Sequence, residues 1–252
     1  MVALHPEISG HSQAAERPPP AFPVQSRTVT NAARPLVLPG PFRAAIFDMD
    51  GLLLDTEPLW AQAEAELLER HGDQLTEADR AATHGRGMAE SVAIYAERLG
   101  GLDPAVLLAE LKALMRVHYE SGPALQPGAE ALVRRLEGRM RLGVASSTTA
   151  SLVNLALEGA GLLDAFEVVT SGADLGRSKP FPDAYLEACR ALGVPPSEAI
   201  AFEDSPVGVR AAVAAGMVVV AVPDRPGVGP SLRAVGAHHV VASLADVVVT
   251  PA

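Results

Sequence analysis

Six short apolar runs, rich in Val, Ile and Ala, recur from residue 44 onward, and most are separated by amphipathic helical segments. Each run has the length of a strand, and runs that are apolar throughout are typical of parallel sheets covered on both faces. Strands that alternate with helices predict right-handed crossovers. We therefore expect an α/β fold, a Rossmann-like parallel sheet with helices on both faces. The predicted strands are 44–50, 141–147, 167–171, 199–203, 218–223 and 239–242.

One long interval between the first and second predicted strands breaks this alternation. It contains helical patterns but no convincing strand, and the apolar positions from Leu107 to His118 repeat with the period of a helix. The pattern predicts a small α-helical cap domain, inserted over the carboxyl end of the first strand. The predicted domains are the cap at 56–122 and an α/β core at 42–55 and 123–252. The predicted cap helices are 58–70, 76–82, 88–99 and 104–119.

Residues 1–41 differ in composition from the rest of the chain. Seven prolines fall between Pro18 and Pro41, and no hydrophobic periodicity is sustained there. Such a segment cannot bury enough apolar surface to offset the entropy of ordering it. We expect a disordered or loosely ordered N-terminal extension without a functional motif.

Charge and composition restrict the possible partners and the compartment. The net charge of −10 and the pI near 5.1 argue against nucleic-acid binding, because no basic face is available for phosphates. No apolar run reaches the roughly 18 residues that cross a bilayer, and no signal-peptide pattern is present, so we expect no membrane partner. The single cysteine, Cys189, fits a reducing compartment, and a cytoplasmic location is the default expectation.

Two carboxylates, Asp48 and Asp50, follow the first predicted strand and precede Gly51. On an extended backbone both side chains would point the same way, and like charges that close repel each other. A divalent metal ion between them is the simplest explanation. Taken alone, a pair of solvated turn aspartates explains the pattern equally well, because Asp-Gly is a common turn dipeptide.

Three further polar clusters follow later predicted strands or lie between them. Ser146 and Ser147 begin a row of four hydroxyl residues at a helix start, where free N–H groups bind anions. Lys179 lies in a loop before a helix, although a lone lysine is more often a surface residue. Glu203 and Asp204 form a second acidic strand end, which would repel the first without a metal. Together the clusters favour one shared site at the carboxyl edge of the sheet.

These clusters resemble the four motifs of the haloacid dehalogenase superfamily. The matching segments are Asp48–Pro58, Ser146, Lys179–Pro180 and Glu203–Ser205, and the resemblance extends from about Phe42 to the C-terminus. The predicted insertion is similar to the subgroup with a four-helix cap, which contains small-molecule phosphatases and β-phosphoglucomutase. The resemblance implies a phosphatase of a small phosphorylated metabolite, such as a sugar phosphate.

The resemblance also implies roles for individual residues. Asp48 would be the nucleophile that forms an aspartyl-phosphate, and Asp50 the general acid and base. Ser146, the Ser147 backbone N–H and Lys179 would hold the phosphoryl oxygens.

A Mg²⁺ cofactor is implied by the same motifs. Its ligands would be Asp48, the backbone carbonyl of Asp50, and Asp204, with Glu203 as a ligand or a close neighbour.

Two alternatives to a phosphatase stay open. A β-phosphoglucomutase-like transfer is disfavoured because those enzymes typically carry a histidine where this chain has Trp60. A phosphoacceptor signalling domain shares acidic strand ends and a lysine. Such domains lack a helical insertion after the first strand, so this alternative is more remote. The carboxyl group of Asp50 favours phosphate esters over halogenated substrates, which need no acid for the leaving group.

A glycine-flanked segment of the predicted cap carries His84 and Arg86. This loop could bring a cation onto a phosphorylated substrate, and both residues are candidate substrate ligands. A plain connection between two helices explains the segment equally well. Hexose phosphates, phosphoglycolate and nucleotide monophosphates all remain possible substrates, and the sequence leaves the oligomeric state open.

Overall fold

A six-stranded parallel sheet forms the centre of the protein, in a computed structural model that describes residues 36–38, 42–83, 86–224 and 227–248. Four further short strands form two separate two-stranded pairs. The order across the main sheet is β6-β5-β2-β7-β8-β9. In chain order the strands are β1 (Leu36–Val37), β2 (Ala44–Phe47), β3 (Leu54–Asp55), β4 (Ala124–Leu125), β5 (Arg141–Ser146), β6 (Val168–Ser171), β7 (Ala199–Glu203), β8 (Val218–Ala221), β9 (His239–Val240) and β10 (Val247–Val248).

Helices cover both faces of this sheet, as the sequence predicts. Alternate residues of β2 enter different cores: Ala45 and Phe47 pack on one face, Ala44 and Ile46 on the other. Both sets are fully buried, which explains why the strand is apolar throughout rather than alternating. The core helices are α5 (Ala129–Leu136), α6 (Ala150–Gly159), α7 (Asp183–Leu192), α8 (Pro206–Ala214) and α9 (Gly229–Ala234).

Four helices lie between β3 and β4, in the interval where the sequence predicts a cap. We call the segment from Glu57 to Glu120 the helical insertion. Strands β3 and β4 pair antiparallel at its two ends, Leu54 with Leu125 and Asp55 with Ala124. The division into a cap at 56–122 and a core at 42–55 and 123–252 stays a prediction. The helices of the insertion are α1 (Glu57–Arg70), α2 (Glu77–Thr83), α3 (Met88–Arg98) and α4 (Pro104–Glu120).

Two features of the strands differ from the sequence-based expectation. Strand β2 ends at Phe47, not at residue 50, so Asp48 and Asp50 follow the strand. In addition, Leu36–Val37 of the predicted extension pairs with β10, and Leu36 and Leu38 are buried. These residues are therefore ordered. Residues 1–35 and 39–41 lie outside the described part of the chain.

Within the described ranges, none of the helices combines the length and the hydropathy needed to cross a membrane.

Candidate active site

The two acidic motifs, one after β2 and one at the end of β7, lie close together because β2 and β7 are neighbours in the sheet. Phe47 and Phe202 are partners in the register, and their rings stack with centroids 4.7 Å apart. The backbone N–H of Asp48 donates to the Phe202 carbonyl at 3.0 Å, which continues the pairing by one residue. As a result Asp48 lies beside Glu203 and Asp204 at the carboxyl edge of the sheet.

A buried lysine joins two of these carboxylates. The Lys179 ammonium contacts Oδ1 of Asp48, and it donates to Oε1 of Glu203 at 2.6 Å. Burial lowers the pKa of Lys179, but the neighbouring charges of Asp48 and Glu203 outweigh that effect, and its pKa is raised. Tyr185 also donates to Glu203 Oε1, at 2.7 Å. Lys179 is thus held as a cation against the Asp48 carboxylate.

Glu203 is saturated with hydrogen bonds at both oxygens. Its Oε2 accepts from the backbone N–H groups of Asp204 (3.1 Å) and Ser205 (3.3 Å), and from the Ser205 hydroxyl (3.2 Å). Its Oε1 is taken by Lys179 and Tyr185. Such a carboxylate is better placed to hold Lys179 than to coordinate a metal ion directly.

The carboxylates of Asp48 and Asp204, with that of Glu203 beside them, form a site that fits a divalent cation. One oxygen from each lies within 4.8 Å of the others, and all three residues are buried. Burial and then the neighbouring acidic groups raise the pKa of Asp204 well above its usual range. Burial also raises the pKa of Asp48 to about 7, against the opposing effect of Lys179. A bound cation would relieve this repulsion, and all-oxygen ligands suit Mg²⁺.

The Asp50 carboxylate is not part of this cluster of three carboxylates. Strand β2 has already ended before Asp50, and the chain turns at Gly51, which has φ 80°. The expectation that a cation lies between Asp48 and Asp50, with Asp50 as one of its ligands, stays a prediction. The Asp50 carboxylate instead accepts hydrogen bonds from Thr56 (2.9 Å), Trp60 (3.3 Å), Tyr119 (2.8 Å) and Thr148 (2.9 Å).

The hydroxyl cluster after β5 lies next to Asp50. The Ser146 hydroxyl is 3.4 Å from Asp50 Oδ2, and it accepts a hydrogen bond from the Thr148 backbone N–H at 2.9 Å. Ser147 lines the same cavity as Asp48 and Lys179. The structure therefore brings Asp48, Asp50, Ser146, Ser147, Lys179, Glu203 and Asp204 into one site.

A cavity of about 910 Å³ lies between this edge of the sheet and the helical insertion. Asp48, Lys179 and Asp204 line it from the sheet, while residues of α1, α2 and α3 line it from the insertion. Arg86, one of the two predicted loop cations, also lines the cavity and is exposed. The other, His84, lies outside the described residues. The volume accommodates a small metabolite.

Sequence reasoning missed two aromatic residues of the site. Tyr119, at the end of α4, is fully buried and donates to Asp50 across 69 positions of sequence. Tyr185 of α7 anchors Glu203. Both lie on apolar helix faces, where a tyrosine cannot be distinguished from a core residue. The sequence indicates Trp60 only as the residue in the place of a histidine, whereas in the structure its indole N–H donates to Asp50.

Comparisons with known proteins agree with this geometry. A family model described as haloacid dehalogenase-like hydrolase matches residues 42–216. Validoxylamine A 7'-phosphate phosphatase from Streptomyces hygroscopicus subsp. limoneus is 34% identical over 180 residues, covering 71% of this chain and 84% of that protein. Hexitol phosphatase B from Escherichia coli (strain K12) is 33% identical over 184 residues, covering 71% and 83%.

A solved structure shares the fold. A mutant of CbbY from Rhodobacter sphaeroides, in complex with xylulose-(1,5)bisphosphate, superposes with a TM-score of 0.72 and 28% identity, covering 82% of this chain and 97% of that one. The family model, the two relatives and the four motifs in one cavity lead to the same assignment. The chain belongs to the haloacid dehalogenase-like hydrolases.

Proposed function

We propose that this phosphoric monoester hydrolase cleaves a small phosphorylated metabolite with Mg²⁺, through an aspartyl-phosphate on Asp48. The observation that carries the proposal is the position of the Asp48 carboxylate. It lies on the cavity wall, in contact with the Lys179 ammonium and in reach of the Asp204 carboxylate. A carboxylate is a modest nucleophile, and it can approach an anionic phosphate only where cations offset the repulsion.

The proposed reaction has two steps. In the first, an oxygen of Asp48 forms a bond to phosphorus, the ester P–O bond breaks, and the leaving oxygen takes a proton from Asp50. In the second, Asp50 removes a proton from water, whose oxygen attacks phosphorus and releases Asp48 and phosphate. The hydroxyl, indole and phenol donors around Asp50 hold its carboxyl group in position for both steps. Lys179 and Ser146 hydrogen-bond the phosphoryl oxygens.

Asp48 and Asp204 would hold the Mg²⁺, together with the backbone carbonyl of Asp50. When bound, the ion supplies positive charge that stabilises the phosphoryl oxygens during transfer. Glu203 would act through Lys179, because five donors already occupy its oxygens.

Gly51 gives a test of this metal site. A Cβ at position 51 would lie 2.3 Å from Oδ2 of Asp204, so Gly51→Ala has to displace that carboxylate. We expect the Mg²⁺ concentration for half-maximal activity to rise about tenfold or more. The matched control is Gly72→Ala, which has a similar φ of 79° but open space around it. Equal Mg²⁺ titrations for the two variants would contradict the assignment of Asp204.

The substrate class is the less determined part of the proposal. Relatives named for validoxylamine phosphate and hexitol phosphates suggest a hydroxyl-rich phosphate monoester. Arg86 on the cavity wall is a candidate ligand of the entering phosphate. We propose the same role for His84, two positions earlier in the sequence. Transfer to water is favoured over a mutase reaction, since Trp60 and Tyr119 hold Asp50 where β-phosphoglucomutases typically use a histidine.

Hydrolysis of p-nitrophenyl phosphate tests the proposal directly. With Mg²⁺ we expect release of p-nitrophenol, and with excess EDTA we expect the rate to fall to background, because uncompensated carboxylates exclude the phosphate. Added Mg²⁺ should restore the rate. Turnover that is unchanged in EDTA would rule out the metal-assisted scheme.

A further inference from the structure

The cavity wall formed by the helical insertion carries buried polar groups that the proposed chemistry does not use. Glu64 of α1, Thr83 of α2 and Ser91 of α3 all line the cavity. They are 6%, 6% and 2% exposed. The three side chains come from three different helices, and the packing of these helices in the helical insertion brings them to one cavity.

Glu64 interrupts the apolar face of α1. Ala63, Leu67 and Leu68 of the same helix are fully buried in the core. Position 64 belongs to the same stripe by its helical spacing, and an apolar residue there would extend the packing. Burying a carboxyl group without a matched ion pair is unfavourable for folding. A glutamate at this position therefore calls for a role other than packing.

The state of the Glu64 carboxyl suits contact with hydroxyl groups. Burial raises its pKa to about 7, against smaller opposing effects of Tyr95 and Arg80. Near neutral pH the group is present both as an acid and as a carboxylate, so it can donate as well as accept a hydrogen bond. A hydroxyl group of a sugar or polyol can likewise both accept and donate a hydrogen bond.

Tyr95 lies next to the Glu64 carboxyl group. Its side chain is completely buried, and its hydroxyl is close enough to Glu64 and Thr83 for each to affect the pKa of Tyr95. Tyr95 is not among the residues that line the cavity, so it acts on a ligand only through Glu64. Thr83 does line the cavity, and its hydroxyl donates to the Asp79 carbonyl at 3.0 Å.

We propose that Glu64 determines specificity by binding hydroxyl groups in the organic part of the substrate, supported by Tyr95 and Thr83. This inference rests on the proposed phosphatase function and narrows its substrate to phosphates of polyols or sugars. An extended apolar chain would leave the same polar groups unpaired.

Two substrates of equal chain length make the test specific: sorbitol 6-phosphate and n-hexyl phosphate. They share the phosphate and the alkyl leaving oxygen, and they differ in hydroxyl groups. Phosphate release gives kcat/KM for each, and we expect the wild type to prefer sorbitol 6-phosphate. In Glu64→Gln and Glu64→Leu the ratio of the two kcat/KM values should fall at least about tenfold, through a higher KM for sorbitol 6-phosphate.

The control is Glu69→Gln, an exposed glutamate of the same helix, which should keep the wild-type ratio. Melting temperatures separate specificity from a structural role. Glu64→Leu restores the apolar stripe, so we expect its Tm to equal or exceed that of the wild type. A lower Tm with an unchanged substrate ratio, in either variant, would overturn the inference.

The two proposals fail in different ways. If the wild type with Mg²⁺ does not hydrolyse p-nitrophenyl phosphate, the proposed function is wrong. If it does, but both Glu64 variants keep the wild-type ratio for the two alkyl phosphates, only the specificity inference is wrong.

Discussion

Asp48→Asn should lower kcat for p-nitrophenyl phosphate by about 10⁴-fold or more, as loss of a nucleophile does in other covalent mechanisms. The amide oxygen is uncharged, and the substitution also removes the ionic contact with Lys179. The measurement is steady-state release of p-nitrophenol at saturating Mg²⁺. Asn and Asp have nearly the same size, and Lys179 keeps its ion pair with Glu203 in this variant, so the loss should come without a large change in Tm.

Asp164→Asn is the matched control for this substitution. Asp164 pairs with Arg134 at 2.9 Å on the surface, and 71% of its side chain is exposed. Surface pairs of this kind contribute about 0–1 kcal/mol, so activity and Tm should stay close to the wild-type values. If Asp48→Asn retained wild-type turnover, the aspartyl-phosphate mechanism would have to be abandoned.

Lys179→Met should have the second-largest effect, on both stability and activity. Lys179 is 8% exposed and lies between Asp48 and Glu203, so its loss leaves two buried carboxylates without a counter-charge. Breaking a buried pair by removing one partner costs about 3–5 kcal/mol. We expect the free energy of unfolding, measured by urea titration in EDTA, to fall by that amount. We also expect kcat to fall about 10²–10³-fold, because the phosphoryl oxygens lose a charged donor.

The chain has one other lysine, which supplies the control. Lys112 is half-buried on α4 and lies in a shallow depression away from the carboxylate cluster. Lys112→Met should change the free energy of unfolding by less than about 1 kcal/mol and leave kcat unaltered. Equal destabilisation of the two variants would mean that Lys179 contributes through packing of its alkyl chain rather than through charge.

Periodicity in the sequence was sufficient to predict the main sheet and the helices of the insertion. The prediction 58–70 corresponds to α1 at Glu57–Arg70, and 104–119 to α4 at Pro104–Glu120. The first predicted strand is too long. Met49 continues the apolar pattern of the sequence and is buried, but it lies beyond the last residue of β2. The pairs β3–β4 and β1–β10 were not predicted, since two residues are too few for any alternation to be detected.

The convergence of side chains could be predicted for residues that follow strands but not for residues that lie on helices. Asp48, Glu203 and Asp204 could be expected to lie close together because parallel strands end at one edge of a sheet. Tyr119 could not, since its contact with Asp50 depends on how α4 packs over the sheet edge. Glu64 did carry a signal, namely a charge within an apolar helical stripe, and it becomes interpretable once the cavity is known.

The pairing of β1 with β10 ties the start of the described chain to its end. Leu36 is opposite Val247, Leu38 donates its N–H to the Val248 carbonyl at 3.1 Å, and Leu36, Leu38 and Val247 are all buried. The proline content of the N-terminal region suggests a truncation at residue 42. Such a truncation would remove β1, whose buried Leu36 pairs with β10. A deletion that removes this region should therefore end before residue 36, so that the pairing of β1 with β10 is kept.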